Sequence, residues 1–336
     1  MSGSIRELAN RVGLSMSSVS KALNGYPDVS EKTRRMVMQA AQDMNYVPNV
    51  HARALKSKRN YNLGVLFTDE RQSGLTHPFF SAVLEGFRKE AEKKGYDITF
   101  IGHRLGENGI TYLEHCRSRE LEGVCIACID FDLDEVRELV EAELPVVTID
   151  RPFHDRGCVL ADNAGGMKQL VEHMAQLGHR KIAYIHGDDG SMVSEIRIKT
   201  FLSAMREQGL PIPQDYLTAC EYTNPESCYE AAERLLNLPE PPECILACDD
   251  FASNGVMTLA LERGLRVPGD LSVAGYDGIE MMRNYHPRLT TIDQNAFSIG
   301  QTAAELLIDQ IDGAPPETRT VPSTLVPGET AGPQTR

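Results

Sequence analysis

Three side chains in the stretch SMSSVSKALNG, Met16, Ser17 and Lys21, could together read the edges of base pairs. A helix lying in the major groove of DNA needs short polar groups near its start and a cation able to reach guanine or the backbone. Ser15, Ser18, Ser20 and Asn24 beside them suit phosphate oxygens. The same residues would equally suit a merely solvated helix surface. A second set of candidates lies further on, where carboxylates directly follow short apolar runs: Asp69, Asp150, Asp249 and Asp277. Singly, each such Asp can cap the next helix; several converging on one cleft with Arg197 would bind a ligand rich in hydroxyls.

The elements that would position the first set are short. Ile5, Leu8, Ala9 and Val12 recur at helical spacing before Gly13, and a second helix is predicted over 16–23 with Ser15 as N-cap. A third, over about 30–44, repeats Val37, Ala40, Ala41 and Met44 on one side. Two short helices joined by a Gly-containing turn, with Ala9 small enough for close packing and Val19 facing the first helix, make a helix-turn-helix. Pro48 then stops the third helix, Asn49 can cap another, and VHARALKSK is a short basic helix that would be marginal alone in water. Leu55, apolar among the cations Arg53 and Lys56, has the pattern of a minor-groove wedge, or of a linker with one incidental leucine.

Charge favours the DNA reading. The chain of 336 residues carries a formal net charge of -14, yet its first 60 residues hold ten Lys and Arg against four acidic residues. A basic module of about +6 is therefore attached to an acidic body near -20.

From Tyr61 onward, YNLGVLF, YDITFIG, GVCIACI and PVVTID alternate with amphipathic stretches, and KIAYIHG, ECILACD and LSVAGYD repeat the theme. This alternation predicts an α/β body of two doubly wound parallel sheets, with ligands beyond the carboxyl ends of the strands. The eight cysteines sit mostly inside such runs and read as small core residues; Cys125 and Cys128, three apart on a strand, point to opposite faces and make a poor metal pair. No run approaches the length needed to span a bilayer and no apolar leader is present, which leads to the expectation of a cytoplasmic protein without membrane association.

The segments IRELANRVGLSMSSVSKALNG, VSEKTRRMVMQAAQDMNYVPN and ARALKSKRNYNLGVLF, in that order, closely resemble the lactose-repressor/galactose-repressor (LacI/GalR) family of transcription regulators. The resemblance implies a helix-turn-helix head over 1–47, a hinge helix and linker over 48–60, and a two-lobed effector-binding and dimerisation body like periplasmic sugar-binding proteins over 61–330, then a tail over 331–336. It implies that Met16, Ser17 and Lys21 read bases and that Leu55 with Lys56 enters the minor groove of a pseudo-palindromic operator. In the body it points to Arg197, Asp150, Asp277 and Asp249, with Tyr222 as a stacking ring and His77 and Phe79 after the first strand. At two positions the chain departs from the family's pattern: Asp249 stands where a neutral amide is common and Gly328 where an arginine is common.

The expected function is a ligand-responsive repressor of sugar uptake or catabolism genes, a homodimer binding operator DNA and a neutral sugar. A sugar phosphate would face three carboxylates with only Arg197 to offset them, while a purine stacked on Tyr222, or a phosphocarrier protein as co-effector, remains open. A sugar-binding transport protein would carry an export leader and no basic head. An enzyme would need a nucleophile–base pair or cofactor loop, and neither G-x-x-x-x-G-K-[ST], H-E-x-x-H nor G-x-S-x-G occurs; no cofactor or metal is expected. The loop HGDDGS reads as a strand-to-helix connection, and the Pro- and Gly-rich C-terminus lacks heptads for a tetramerising coil.

Overall fold

Gly13 ends the first helix because it alone among its neighbours adopts a left-handed φ of 67° without strain, turning the chain into the next helix. The computed structural model describes residues 4–23, 26, 28–46, 59–68, 74–102, 109–187 and 190–334. They separate into two compact units, 1–61 and 62–336.

The first unit is three helices, α1 (Ile5–Val12), α2 (Met16–Leu23) and α3 (Glu31–Asp43). Each start is set by a hydroxyl. Ser4 and Glu7 form a reciprocal capping box, the Ser15 hydroxyl accepts from Ser18 N–H at 3.1 Å, and Ser30 accepts from Thr33 N–H at 3.1 Å. Leu8, Ala9, Val19, Ala22, Val37, Ala40 and Ala41 close the core between them. Those seven are the buried side chains of this core among the described residues, which makes caps worth about 1 kcal/mol each a considerable share of its stability.

The second unit has two lobes. In the first, strands β1 (Asn62–Phe67), β2 (Asp97–Phe100), β3 (Gly123–Ala127), β4 (Val146–Ile149), β5 (Gly157–Ala161) and β11 (Thr318–Val321) form a parallel sheet in the order β11-β5-β4-β3-β1-β2. Helices α4 (Pro78–Lys93), α5 (Tyr112–Ser118), α6 (Asp134–Glu141) and α12 (Ala296–Ile311) cover it. In the second, β6 (Ile182–His186), β7 (Leu217–Ala219), β8 (Cys244–Leu246) and β9 (Ser272–Ala274) form a parallel sheet in the order β7-β6-β8-β9. Here α7 (Asn163–Gln176), α8 (Met192–Glu207), α9 (Pro225–Leu236) and α10 (Ser253–Glu262) provide the cover. The inner strands β3, β4, β6 and β8 are fully buried, mostly apolar runs, as strands covered on both faces must be, while β2, β7 and β11 at the sheet edges are partly exposed.

The chain passes between lobes three times. It leaves the first after β5, returns after β10 (Thr291–Asp293) to form α12, and leaves again from β11 to β12 (Thr324–Val326), which pairs antiparallel with β10. The short helix α11 (Glu280–Asn284) precedes β10. Helices α4 and α12 cross at two glycines. A Cβ on Gly86 would lie 2.0 Å from the Phe297 carbonyl oxygen, and one on Gly300 1.8 Å from that of Val83, so nothing larger permits this backbone approach.

Candidate functional site between the lobes

Arg197 lies on the second turn of α8, beyond the carboxyl end of β6, and is 3% exposed. A guanidinium placed there must spend its donors on protein or ligand. Its Nε donates to Asn163 Oδ1 at 2.7 Å, Nη1 to the Cys248 carbonyl at 3.0 Å, and Nη2 to Gln294 Oε1 at 3.2 Å. Its plane sits 3.6 Å from the centre of the Tyr276 ring, a cation–π contact in a desolvated setting. The partners come from the first residue of α7, the segment after β8, and the segment after β10, so one side chain ties the second lobe to two crossovers.

Around that hub lie acidic groups from both lobes. Asp277 is held at φ 117°, outside the ordinary wells for a residue with a side chain; Gln294 Nε2 donates to its Oδ1 at 2.6 Å. Asp150, at the end of β4, takes a left-handed φ of 64° and accepts from Ala161 N–H at 3.3 Å. Burial pushes the Asp150 carboxyl upward, against the pull of Ala161 N–H and of Arg197. Burial also pushes Asp277 well up, with the charges of Asp249 and Asp250 adding and Arg197 opposing. Asp250, wholly buried, is pushed up to about 8 by burial, although Thr291 Oγ1 donates to it at 2.5 Å and Ile279 N–H at 2.7 Å.

Tyr222 enters from the segment after β7. Its hydroxyl is 2.9 Å from Ser194 Oγ, and its ring lies flat enough on Gly187 that a Cβ there would come within 2.1 Å of it. Ser194 and Arg197 are one helical turn apart, so α8 presents both to the same space.

Asp249 behaves differently from the other expected ligands. It is 2% exposed, and its oxygens accept from Thr223 N–H at 2.7 Å and Ala252 N–H at 2.6 Å. Each oxygen thus has a local capping bond, and the residue fixes the loops that carry Tyr222 and α10. His77 and Phe79 also serve their own helix. The His77 Nδ1 caps α4 by accepting from Phe80 N–H at 3.3 Å, and Phe79 is 6% exposed, packed edge-on against Phe80 with ring centres 5.1 Å apart. Asp69 lies outside the described residues.

Sequence reasoning passed over Asn163, Ser194, Tyr276 and Gln294; Asp250 it noted only as the neighbour of Asp249. Asn163 opens a helix, where an Asn reads as a cap, yet Asp162 does the capping by accepting from Gly165 N–H at 2.8 Å, which leaves Asn163 for Arg197. Gln294 follows β10 directly, and the rule that ligand residues follow strand ends would have found it had β10 been recognised as a strand.

In the helical unit, Ser15, Met16 and Ser17 are exposed, Met16 at 53%, while Ser18, Ser20 and Lys21 are half-buried. Ser18 Oγ is 2.9 Å from Ser15 Oγ, and Lys21 pairs with Asp28. Asn24, Asn49, Arg53, Leu55 and Lys56 lie outside the described residues. No three His, Cys, Asp or Glu side chains among the described residues are placed to hold a metal, and no described helix is long and apolar enough to cross a membrane.

The comparisons agree with this architecture. Residues 4–49 match the model of bacterial regulatory proteins of the lacI family, and residues 171–331 that of the periplasmic binding protein-like domain. The chain is 30% identical over 318 residues to the probable HTH-type transcriptional repressor ExuR of Bacillus subtilis, covering 94% of this chain and 93% of that one. It is 29% identical to the HTH-type transcriptional repressor PurR of Pasteurella multocida over 92% of both chains. Among solved structures, the lac repressor dimer bound to operator and the anti-inducer ONPF superposes with a TM-score of 0.76 at 25% identity, covering 99% of this chain and 100% of that one. A LacI family regulator from Enterococcus faecium with bound ribose gives 0.70 at 26% identity, over 82% of this chain and all of that one.

Proposed function

Because the chain belongs to the lacI family of bacterial regulatory proteins, a family of ligand-responsive DNA-binding regulators and not of enzymes, we propose that it represses sugar-metabolism genes and releases or tightens on its operator when a neutral sugar enters between the lobes. The observation that carries the effector reading is the Arg197 hub. A guanidinium fixed by three hydrogen bonds keeps two N–H groups for a ligand, and Asp150 and Asp277 bring acceptors from opposite lobes toward the same space. Vicinal hydroxyls pair with such carboxylates, and Tyr222 offers a face to a pyranose. An anion would enter a centre where the raised pKa values of Asp150, Asp249, Asp250 and Asp277 already register the cost of negative charge, with Arg197 to offset it. The ribose in the Enterococcus faecium relative supports the class. The similarity to PurR keeps a second reading in view, a purine stacked on Tyr222.

A homodimer would present two α2 helices to half-sites of a pseudo-palindrome, with Met16, Ser17 and Lys21 at the bases and Ser15, Ser18 and Ser20 at phosphates. Closing the lobes on a ligand changes their relative orientation, and with it the spacing of the segment over 48–60 that would hold Leu55, Lys56, Arg53 and Asn49 to DNA.

The test is the thermal midpoint of the purified protein against neutral sugars, sugar phosphates and purines. A ligand at 100 times its Kd adds about 2.7 kcal/mol to stability. A rise with one neutral sugar that also changes affinity for DNA fragments selected by the protein supports the proposal. A rise only with a purine or a phosphate overturns the sugar class. Silence across the panel directs the search to a phosphocarrier protein as co-effector.

A further inference from the structure

Behind Arg197 the second lobe holds three thiols that the effector reading leaves unused. Cys220 follows β7, Cys248 follows β8, and Cys228 lies on α9; all three are reduced and buried. They belong to the apolar cluster formed with Ile185, Ala231 and Val256 on one side of the sheet. The sulfurs of Cys220 and Cys248 are 3.4 Å apart, and Cys228 is hydrogen-bonded to Cys220 as well. A disulfide needs sulfurs at about 2.05 Å, so this pair must close by only about 1.4 Å.

The three are not equivalent. The neighbouring sulfurs of Cys228 and Cys248 lower the pKa of Cys220, with His186 assisting and burial opposing. Cys228 is pushed up by its bond to Cys220 and by burial, and Cys248 by burial above all. Cys220 is the sulfur that meets both others, and its lowered pKa favours the thiolate, the form that reacts with peroxides. Among the described residues no metal-holding set includes them, so the arrangement suits sulfur–sulfur chemistry.

Position gives the pair a consequence. The Cys248 carbonyl is one of the three groups that hold Arg197, and the Cys248 thiol donates to Asp249 Oδ2 at 3.4 Å. That same oxygen holds Thr223 N–H, next to Tyr222.

We propose that Cys220 and Cys248 are a peroxide-oxidisable pair that cross-links the segments after β7 and β8 directly beneath the Arg197 hub. The Cys220 thiolate attacks one oxygen of hydrogen peroxide; the O–O bond breaks, a sulfenic acid forms, and the departing hydroxide takes a proton to leave as water. The Cys248 sulfur then attacks the Cys220 sulfur; the S–O bond breaks, and the hydroxide released takes the Cys248 proton as a second water. Two thiols lose two electrons in all, and one peroxide becomes two waters. The chemistry stands by itself, while its effect on ligand affinity rests on the site between the lobes.

The test treats the reduced full-length protein with hydrogen peroxide, alkylates the remaining thiols and maps linked peptides by mass spectrometry without reductant. The expected result is a Cys220–Cys248 link, a mass loss of two hydrogens, reversal by a thiol reductant, and no link in Cys220→Ser or Cys248→Ala. The mapping on the unsubstituted chain is informative whether or not those variants fold. A link confined to Cys228, modification only at the half-buried Cys128, or untouched thiols overturns the proposal. No effector enters this measurement, so its failure and a failure of the sugar panel are separate results.

Discussion

Replacing Arg197 by Met keeps most of the side chain's length and removes its charge and all its donors, which makes it the sharpest probe of the hub. Three acceptors, Asn163 Oδ1, the Cys248 carbonyl and Gln294 Oε1, lose their partner. Each orphaned buried group costs about 1–3 kcal/mol, and the stack on Tyr276 adds about 1–2 kcal/mol. Against this, the variant no longer desolvates a guanidinium, so the net loss is about 3–5 kcal/mol, the usual size for removing one partner of a buried charged cluster. In a unit of this size that lowers the thermal midpoint by about 6–15 °C. The loss also has a pH signature. Burial raises Asp150 and Asp277 in the folded protein and Arg197 pulls both down, so without it their folded pKa values climb further. A carboxyl raised above its unfolded value contributes most below the unfolded pKa and loses that contribution as pH rises through the folded one. The gap between parent and variant must therefore be wider at pH 8 than at pH 5, read as midpoints from circular dichroism at both. A gap below 2 °C, or one that narrows as pH rises, would refute the view that Arg197 is the counter-charge and tie of this centre.

Three other outcomes follow from the same structure. With Asp250 pushed up to about 8, folding stability should fall by about 2–3 kcal/mol between pH 6 and pH 9, and Asp250→Asn should flatten that slope in urea titrations at the two pH values. Gly300→Ala forces a methyl against the Val83 carbonyl and should cost at least about 3 kcal/mol or prevent accumulation, whereas Gly313→Ala, at a left-handed turn with open space around it, should cost about 1–2 kcal/mol in the same denaturation series. Ser15→Ala should destabilise the helical unit by about 1 kcal/mol through its cap, while Lys21→Ala should leave stability within about 0.5 kcal/mol and reduce operator affinity, measured by fluorescence anisotropy with a shallower salt dependence.

The helical unit was the most legible part of the sequence. Its periodicity, its Ser caps and Gly13 are local signals, and the three helices begin and end within a residue of where those signals put them. The strands read as continuous apolar runs were also local. What escaped was whatever depends on distant pairing: β5 looks like other short runs, and β10, β11 and β12 are three or four residues long and rich in Thr. Arg197 could be named from its segment, but its partners sit 34, 51 and 97 residues away, and no local pattern marks them. Asp249 shows the converse. Its place after a strand suited a ligand, and only the structure shows that its oxygens also accept from the backbone N–H groups of Thr223 and Ala252.

The three passages of the chain between lobes also set an order of manufacture. When a ribosome has made the first 160 residues, β1 to β5 exist, but the edge of β5 waits for β11, and the face of β3, β4 and β5 waits for α12. Both arrive only after the whole second sheet has been synthesised. The apolar face therefore stays uncovered until 296 and the strand edge unpaired until 318, well over 100 residues of elongation, which is the period when a nascent chain is open to chaperones and to its neighbours on the same message. A truncation anywhere before residue 318 leaves that edge bare for good, so nonsense fragments of this protein are expected to aggregate however much of the second lobe they contain.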